Sequence, residues 1–167
     1  MNIDVQLIEK VVKKVLTDVE SACPADDYTY GIFETMDDAI EASAKAQKEY
    51  MNYFISDRQR FVEGIREVVC QKENLEYMSK LAVEESGMGA YEYKLIKNRL
   101  AAEKSPGIED LTTEALSGDD GLTLVEYCPF GVIGAIAPTT NRTETDICNS
   151  IGMLAGGNTV VFNPHPQ

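Results

Sequence analysis

Positive charge is scarce in this sequence: 15 lysines and arginines stand against 28 aspartates and glutamates, a formal charge of -13 at pH 7. A surface of that sign repels phosphodiesters and anionic headgroups, which argues against nucleic-acid and membrane partners and favours small molecules or other proteins. Histidine is nearly absent too, with one residue, and the four cysteines, Cys23, Cys70, Cys128 and Cys148, are widely spaced with no C-x-x-C pair. Neither a zinc site nor a disulfide framework is expected, and reduced thiols in a cytosol are the simplest reading. No apolar run approaches the roughly 20 residues of a bilayer-spanning helix, and the first residues lack the apolar core and cleavage site of a signal peptide. An intracellular protein is therefore expected. There is no internal repeat and no low-complexity segment. At 167 residues the chain suits one domain, or the opening piece of something larger.

What is present begins with an amphipathic pattern. Val5, Ile8, Val11, Val12, Val15, Leu16 and Val19 recur at spacings of three and four, while Gln6, Glu9, Lys10, Lys13, Lys14 and Thr17 fall on the opposite side. Residues 1–20 read as a helix in need of a partner, and residues 21–28, with Pro24, Asp26 and Asp27, as a linker. Such a helix can pack on its own domain, dock in a groove of another protein, or lie on a membrane; acids on the polar side and the lack of a large aromatic anchor disfavour the last.

From Thr35 to about Lys104 the period is helical. Thr35 with Asp38 and Ser56 with Gln59 read as capping boxes, and Asn74 as the cap of a third helix that stops at Gly87. A fourth helix ends before Pro106. The expected inward faces are Ala39, Ala42, Ala46, Tyr50 and Tyr53 in the first, and Phe61, Ile65, Val68 and Val69 in the second. Leu75, Met78, Leu81 and Ala82 follow in the third, and Leu95, Ile96, Arg99 and Leu100 in the fourth. These stripes read as packing, without chemistry.

The period then changes. Gly118-Asp119-Asp120-Gly121 is a turn cluster before the strand-forming run Leu122–Tyr127, which predicts a β-hairpin arm. Beyond it, the β-branched apolar run within residues 128–138, a capped apolar helix closed by Gly156-Gly157, and a second apolar run from Asn158 to Phe162 predict a parallel βαβ unit. The fold class is α/β: a helical N-terminal region leading into an incomplete Rossmann-like unit. Ligand sites in such sheets lie at the carboxyl ends of the strands, here at Thr139, Thr140 and Asn141.

Thr143 reads as the cap of the βαβ helix. Acids at Glu144 and Asp146 in its first turn should repel a phosphate, which makes that helix start a poor pyrophosphate cradle. Gly131-Val132-Ile133-Gly134 lacks a third glycine and lies in the strand, not in the turn after it. Asn141 is either a turn residue or an amide donor aimed at an oxyanion. Cys128 and Cys148 read as packed thiols, and His165, between two prolines, as either structural or catalytic.

The runs Pro129-Phe130-Gly131-Val132-Ile133-Gly134-Ala135-Ile136-Ala137-Pro138, Asn141 and Gly156-Gly157-Asn158-Thr159-Val160-Val161 resemble the first strand, turn and second strand of the aldehyde dehydrogenase cofactor domain. Glu84-Glu85-Ser86-Gly87 resembles that family's helix ending. Pro138–Thr145, Ile147–Ala155 and Asn163-Pro164-His165-Pro166 are similar, more narrowly, to the CoA-acylating aldehyde dehydrogenases of bacterial microcompartments. Hydrolytic members carry a shorter turn without the Thr139-Thr140 pair, and a lysine and glutamate that hold the adenosine ribose where this chain has Asn163, Pro164, His165 and Pro166. Losing those contacts suits a site that must release the dinucleotide so that CoA can enter. Arg142 is a departure that the resemblance leaves unexplained.

The resemblance implies an oxyanion donor at Asn141 and cofactor contacts at Ala137, Pro138, Thr139, Thr140, Asn163, Pro164 and His165. NAD would accept the hydride and coenzyme A the acyl group, and the substrate would be a short-chain aldehyde. The family's nucleophilic cysteine is matched by none of the four here, so the 167 residues alone are expected to be inert. By the same resemblance, residues 1–20 would address the enzyme to a microcompartment shell protein and residues 29–167 would open the cofactor domain. The whole would be a homo-oligomer in the bacterial cytoplasm, within a microcompartment lumen. A hydrolytic aldehyde or semialdehyde dehydrogenase and a non-catalytic helical interaction module stay open as alternatives.

Overall fold

The computed structural model describes residues 31–165. The helix expected at residues 1–20, the linker at 21–28, Cys23 and Pro166 lie outside them. The chain divides into two units, Met1–Glu34 and Thr35–Gln167, and the helices and strands of the described residues all belong to the second.

Four helices come first: α1 (Met36–Tyr50), α2 (Ile55–Cys70), α3 (Lys72–Ser86) and α4 (Tyr91–Lys104). Thr35 caps α1 as expected: its hydroxyl accepts from the Asp38 N–H at 3.2 Å and donates to the Asp38 carboxylate at 2.6 Å. Ser56 does not cap α2. The boundary residue is Phe54, whose N–H donates to Asp57 Oδ2 at 3.1 Å, so an acid one turn inside supplies the missing acceptor. Nor does Asn74 cap α3. Its amide donates to the Val68 carbonyl at 2.7 Å, closing the end of α2, and Gln71 forms both the end of α2 and the start of α3. The stop at Gly87 is as expected, with φ 64° and ψ 14°, a left-handed conformation that costs a residue without Cβ little.

A single turn of 3-10 helix (Ile108–Asp110) leads to β1 (Glu114–Gly118) and β2 (Gly121–Val125), antiparallel and joined by Asp119-Asp120. This is the expected hairpin, and every residue of both strands is exposed. The βαβ unit follows as β3 (Val132–Ala137), α5 (Arg142–Ala155) and β4 (Thr159–Pro164), with β3 and β4 parallel and Val132 opposite Thr159. Pleating divides β3: Ala135 and Ala137 are buried on one face, while Val132, Gly134 and Ile136 are exposed on the other.

The core forms where α2, α4 and α5 meet. Val62, Ala101, Ala102, Ile147, Ile151 and Ala155 pack together, with Ile65, Val69, Ile108 and Leu111 at the margin. Burying the larger of these side chains is worth about 1.5–3 kcal/mol each. The expected inward face of α4 is wrong. Ile96 and Leu100 are more than half exposed, and the buried positions are Lys94, Asn98, Ala101 and Ala102. Phe61 and Val68 are exposed too, and the inward residue of that turn is Val62.

Polar contacts set β4 against α1. The Gln47 amide bridges the turn before the strand, donating to the Gly157 carbonyl at 2.9 Å and accepting from the Thr159 N–H at 2.7 Å. The Tyr50 hydroxyl donates to the Leu154 carbonyl at 2.9 Å. Buried Asn158 fixes the entry to β3: its Oδ1 accepts from the Phe130 and Gly131 N–H groups at 2.6 and 3.0 Å. These contacts register the two strands and so fix where the turn after β3 sits.

Candidate functional site

The turn after β3, residues 138–141, carries the polar groups of interest. Asn141 is the N-cap position of α5, not the residue before the cap, and its side chain makes no capping hydrogen bond. Thr143 is the second residue of the helix, with its hydroxyl donating to Asn98 Oδ1 at 2.8 Å. The Asn141 side chain is thereby left for a contact of a different kind. Its Oδ1 accepts from Lys97 Nζ at 2.6 Å.

Two lysines one turn apart on α4 hold this corner. Lys94 Nζ donates to the Thr140 carbonyl at 2.7 Å and to Glu144 Oε1 at 3.1 Å, while Lys97 Nζ lies 3.2 Å from the same Glu144 oxygen. The Lys94 and Glu144 side chains are only 6% and 10% exposed, so the pair is a buried one. Burial pushes the Glu144 carboxyl up, but its own backbone N–H, the hydrogen bond and charge of Lys94 and the hydrogen bond of Lys97 outweigh this, and its pKa ends below the ordinary value. Behind them, Asn98 Nδ2 donates to Ser79 Oγ at 3.0 Å, linking α4 to α3.

This corrects the electrostatics expected for the helix start. Glu144 is neutralised by two ammonium groups, so it does not confront an incoming anion. Asp146 is different. Burial raises its carboxyl pKa, the Arg142 guanidinium only partly opposing this, and its Oδ1 is buried without a hydrogen-bond partner among the described residues.

Arg142 also has a definite place. Its guanidinium donates to Glu85 Oε2 at 3.1 Å, from the end of α3, and to the His165 carbonyl at 3.1 Å, just past β4. It therefore ties the helix that ends at Gly87 to the edge formed by Asn163, Pro164 and His165, all exposed. At the other strand, Thr140 and Pro138 are exposed and Thr139 half-buried. Ala137 is buried whole, methyl and main chain alike, so it is not open to a ligand as the expected contact would require. Met88, Tyr93, Lys94, Lys97, Thr140 and Asn141 line a cleft of about 250 Å³ at this end of the sheet.

The cysteines stand apart. Cys128 and Cys148 are exposed, contrary to the expected packing; the Ser105 hydroxyl lies 3.0 Å from Cys148 Sγ. Cys70 is half-buried, and burial pushes its thiol pKa up, away from a reactive thiolate.

Sequence reasoning placed Asn141, Thr139 and Thr140 at the strand end but missed Lys94, Lys97 and Asn98, and took Glu144 only for an acid that repels phosphate. A signal did exist: Lys94, Lys97, Asn98, Ala101, Ala102 and Ser105 recur at helical spacing, a stripe of polar and small residues that a search for apolar periodicity passes over.

Comparison with known proteins fits this architecture. Propanal dehydrogenase (CoA-propanoylating) of Citrobacter freundii is 43% identical over 162 residues, covering 95% of this chain and 34% of its own length. The chain thus spans about a third of the length of that curated relative. Among solved structures, propionaldehyde dehydrogenase of Rhodopseudomonas palustris with bound CoA and an acylated cysteine superposes with TM-score 0.79 at 70% identity, over 81% of this chain and 31% of the other. The propionaldehyde dehydrogenase of the Clostridium phytofermentans fucose utilisation bacterial microcompartment gives TM-score 0.77 at 55% identity, over 82% and 31%. The model of the aldehyde dehydrogenase family matches residues 14–167, nearly the whole length, and this chain belongs to that family.

Proposed function

We propose that the chain is the amino-terminal portion of a CoA-acylating aldehyde dehydrogenase, which oxidises a short-chain aldehyde with NAD and delivers the acyl group to coenzyme A. The observation that carries this reading is the Asn141 amide at the end of β3, its oxygen held by Lys97 beside a cleft at the strand ends. An amide so fixed offers its N–H to an oxygen that gains charge when a thiolate adds to an aldehyde carbonyl. The thiolate belongs to the rest of the enzyme.

The residues present fit a loosely held dinucleotide. Asn163, Pro164 and His165 are exposed at the strand end and offer an amide and a ring but no charged pair for the ribose hydroxyls. NAD, when bound, supplies the hydride acceptor. Pro138, Thr139 and Thr140 would border it, and Arg142 keeps the far edge in place through the His165 carbonyl.

The test is product analysis. The full-length enzyme, given propanal or acetaldehyde and NAD, is expected to form acyl-CoA in proportion to added coenzyme A. Free carboxylate at the same rate with or without CoA would instead identify a hydrolytic dehydrogenase. Residues 29–167 would open the cofactor domain, and residues 1–20 would dock on a microcompartment shell protein in the lumen. Removing residues 2–20 is expected to spare activity and abolish co-purification with shell; unchanged encapsulation would overturn that assignment.

A further inference from the structure

We infer that Lys97 is the positioning residue that sets the Asn141 amide with its N–H, and not its oxygen, toward the reacting carbonyl. The inference rests on the proposed role of Asn141 as oxyanion donor and adds a residue to it. An asparagine side chain presents an oxygen that accepts and a nitrogen that donates, and which of them faces a ligand is a matter of its partners. An ammonium group has donors only. With Lys97 Nζ 2.6 Å from the side-chain tip, the atom facing it must be Oδ1, which leaves Nδ2 as the free end of the amide. No acceptor among the described residues engages Nδ2, and Asn141 is exposed to the space beyond the strand.

A half-exposed lysine on its own would be a loose restraint. Lys97 is not on its own: Glu144 Oε1, on a side chain only 10% exposed, lies 3.2 Å from Nζ and anchors it. Glu144 is held in turn by Lys94, which also grips the Thr140 carbonyl next door. Main chain and side chain of the turn are thus fixed from one face of α4. Two ammonium groups against one carboxylate leave a net positive charge beside the amide. That charge withdraws electron density through Oδ1 and makes the N–H a stronger donor to a developing oxyanion.

The test uses the full-length enzyme and four variants: Lys97→Met, Lys97→Arg, Asn141→Ala and the Lys97→Met/Asn141→Ala pair. Lys97→Met is expected to lower kcat on the order of 10- to 100-fold, the scale of a charge-assisted hydrogen bond, with the KM for aldehyde little changed. Lys97→Arg should recover much of the loss, since guanidinium also donates to Oδ1. The decisive readout is the pair, expected to be no slower than Asn141→Ala alone, because a residue that acts only through Asn141 has nothing left to position. If Asn141→Ala is slow but Lys97→Met is as fast as the parent, or if the two losses multiply in the pair, the Lys97 assignment fails and the donor role of Asn141 stands. If Asn141→Ala itself retains full activity, the donor reading falls, and this inference with it.

Discussion

Glu144→Ala is expected to lower the stability of the chain by about 3 kcal/mol or more, the usual cost of breaking a buried ion pair from one side. The loss arises less from the attraction removed than from the cation left behind. Lys94 Nζ, on a side chain 6% exposed, would keep only the Thr140 carbonyl as a partner among the described residues. Truncating either lysine should do less harm. Lys94→Met leaves Glu144 paired to Lys97 at 3.2 Å, and Lys97→Met leaves it paired to Lys94 at 3.1 Å with only a half-exposed partner lost. The expected order of destabilisation is Glu144→Ala, then Lys94→Met, then Lys97→Met, the last near ~0–1 kcal/mol. Replacing both members, Lys94→Met with Glu144→Leu, should restore much of what Glu144→Ala loses. Urea midpoints followed by far-ultraviolet circular dichroism would check the order; three equal, small effects would contradict it.

The same pair predicts a dependence on pH with a definite sign. The Glu144 carboxyl has its folded pKa below the ordinary 4.5, so its stabilisation is complete above 4.5 and is lost as pH falls through the lower, folded value. The gap between the parent and Glu144→Gln should therefore close in acid. Asp146 has the opposite sign. Its pKa is raised above 3.8, chiefly by burial, so it favours the fold when protonated and loses that contribution as pH rises through its folded value. One turn of α5 thus carries two carboxyls that respond to acid in opposite directions, because one has lysines against it and the other has an oxygen without a partner among the described residues.

Much of the fold was legible because its signals are local. Glycines marked the end of α3 and the close of α5, the Gly118–Gly121 cluster marked the hairpin, and β-branched runs marked β3 and β4. Helix starts were read less well, for a consistent reason. Asn74 and Thr143 have good capping chemistry, but each commits it to another contact, with the Val68 carbonyl and with Asn98 respectively. Capping preference is an energy of about 1 kcal/mol, small enough for one such contact to override. The site was legible only in part. Asn141 stood out through a resemblance, whereas its partners on α4 lie more than forty residues earlier in the chain and have no local signature.

Asn141→Ala is expected to reduce kcat of the full-length enzyme by about 10²–10³-fold with little change in KM, as removal of one oxyanion donor does elsewhere. Stability offers the control. A capping asparagine loses its bond to the helix when truncated, but this one makes none, and its φ of -135° is not the left-handed conformation that penalises a Cβ. The variant should therefore unfold at nearly the parent's urea concentration while turning over far more slowly. Asn141→Asp sharpens the point: the carboxylate would pair with Lys97 and keep the turn in place, yet it offers no N–H, so it should be at least as slow as alanine. In the proposed reaction both half-reactions would pass through a tetrahedral oxyanion, once when the thiolate adds to the aldehyde and once when CoA adds to the thioester. Rapid-mixing measurements of reduced nicotinamide formation and of acyl-CoA release should then show both steps slowed. An aspartate variant with parental rates would mean that the lysine contact serves the turn alone, and that charge is met in the transition state by some other group.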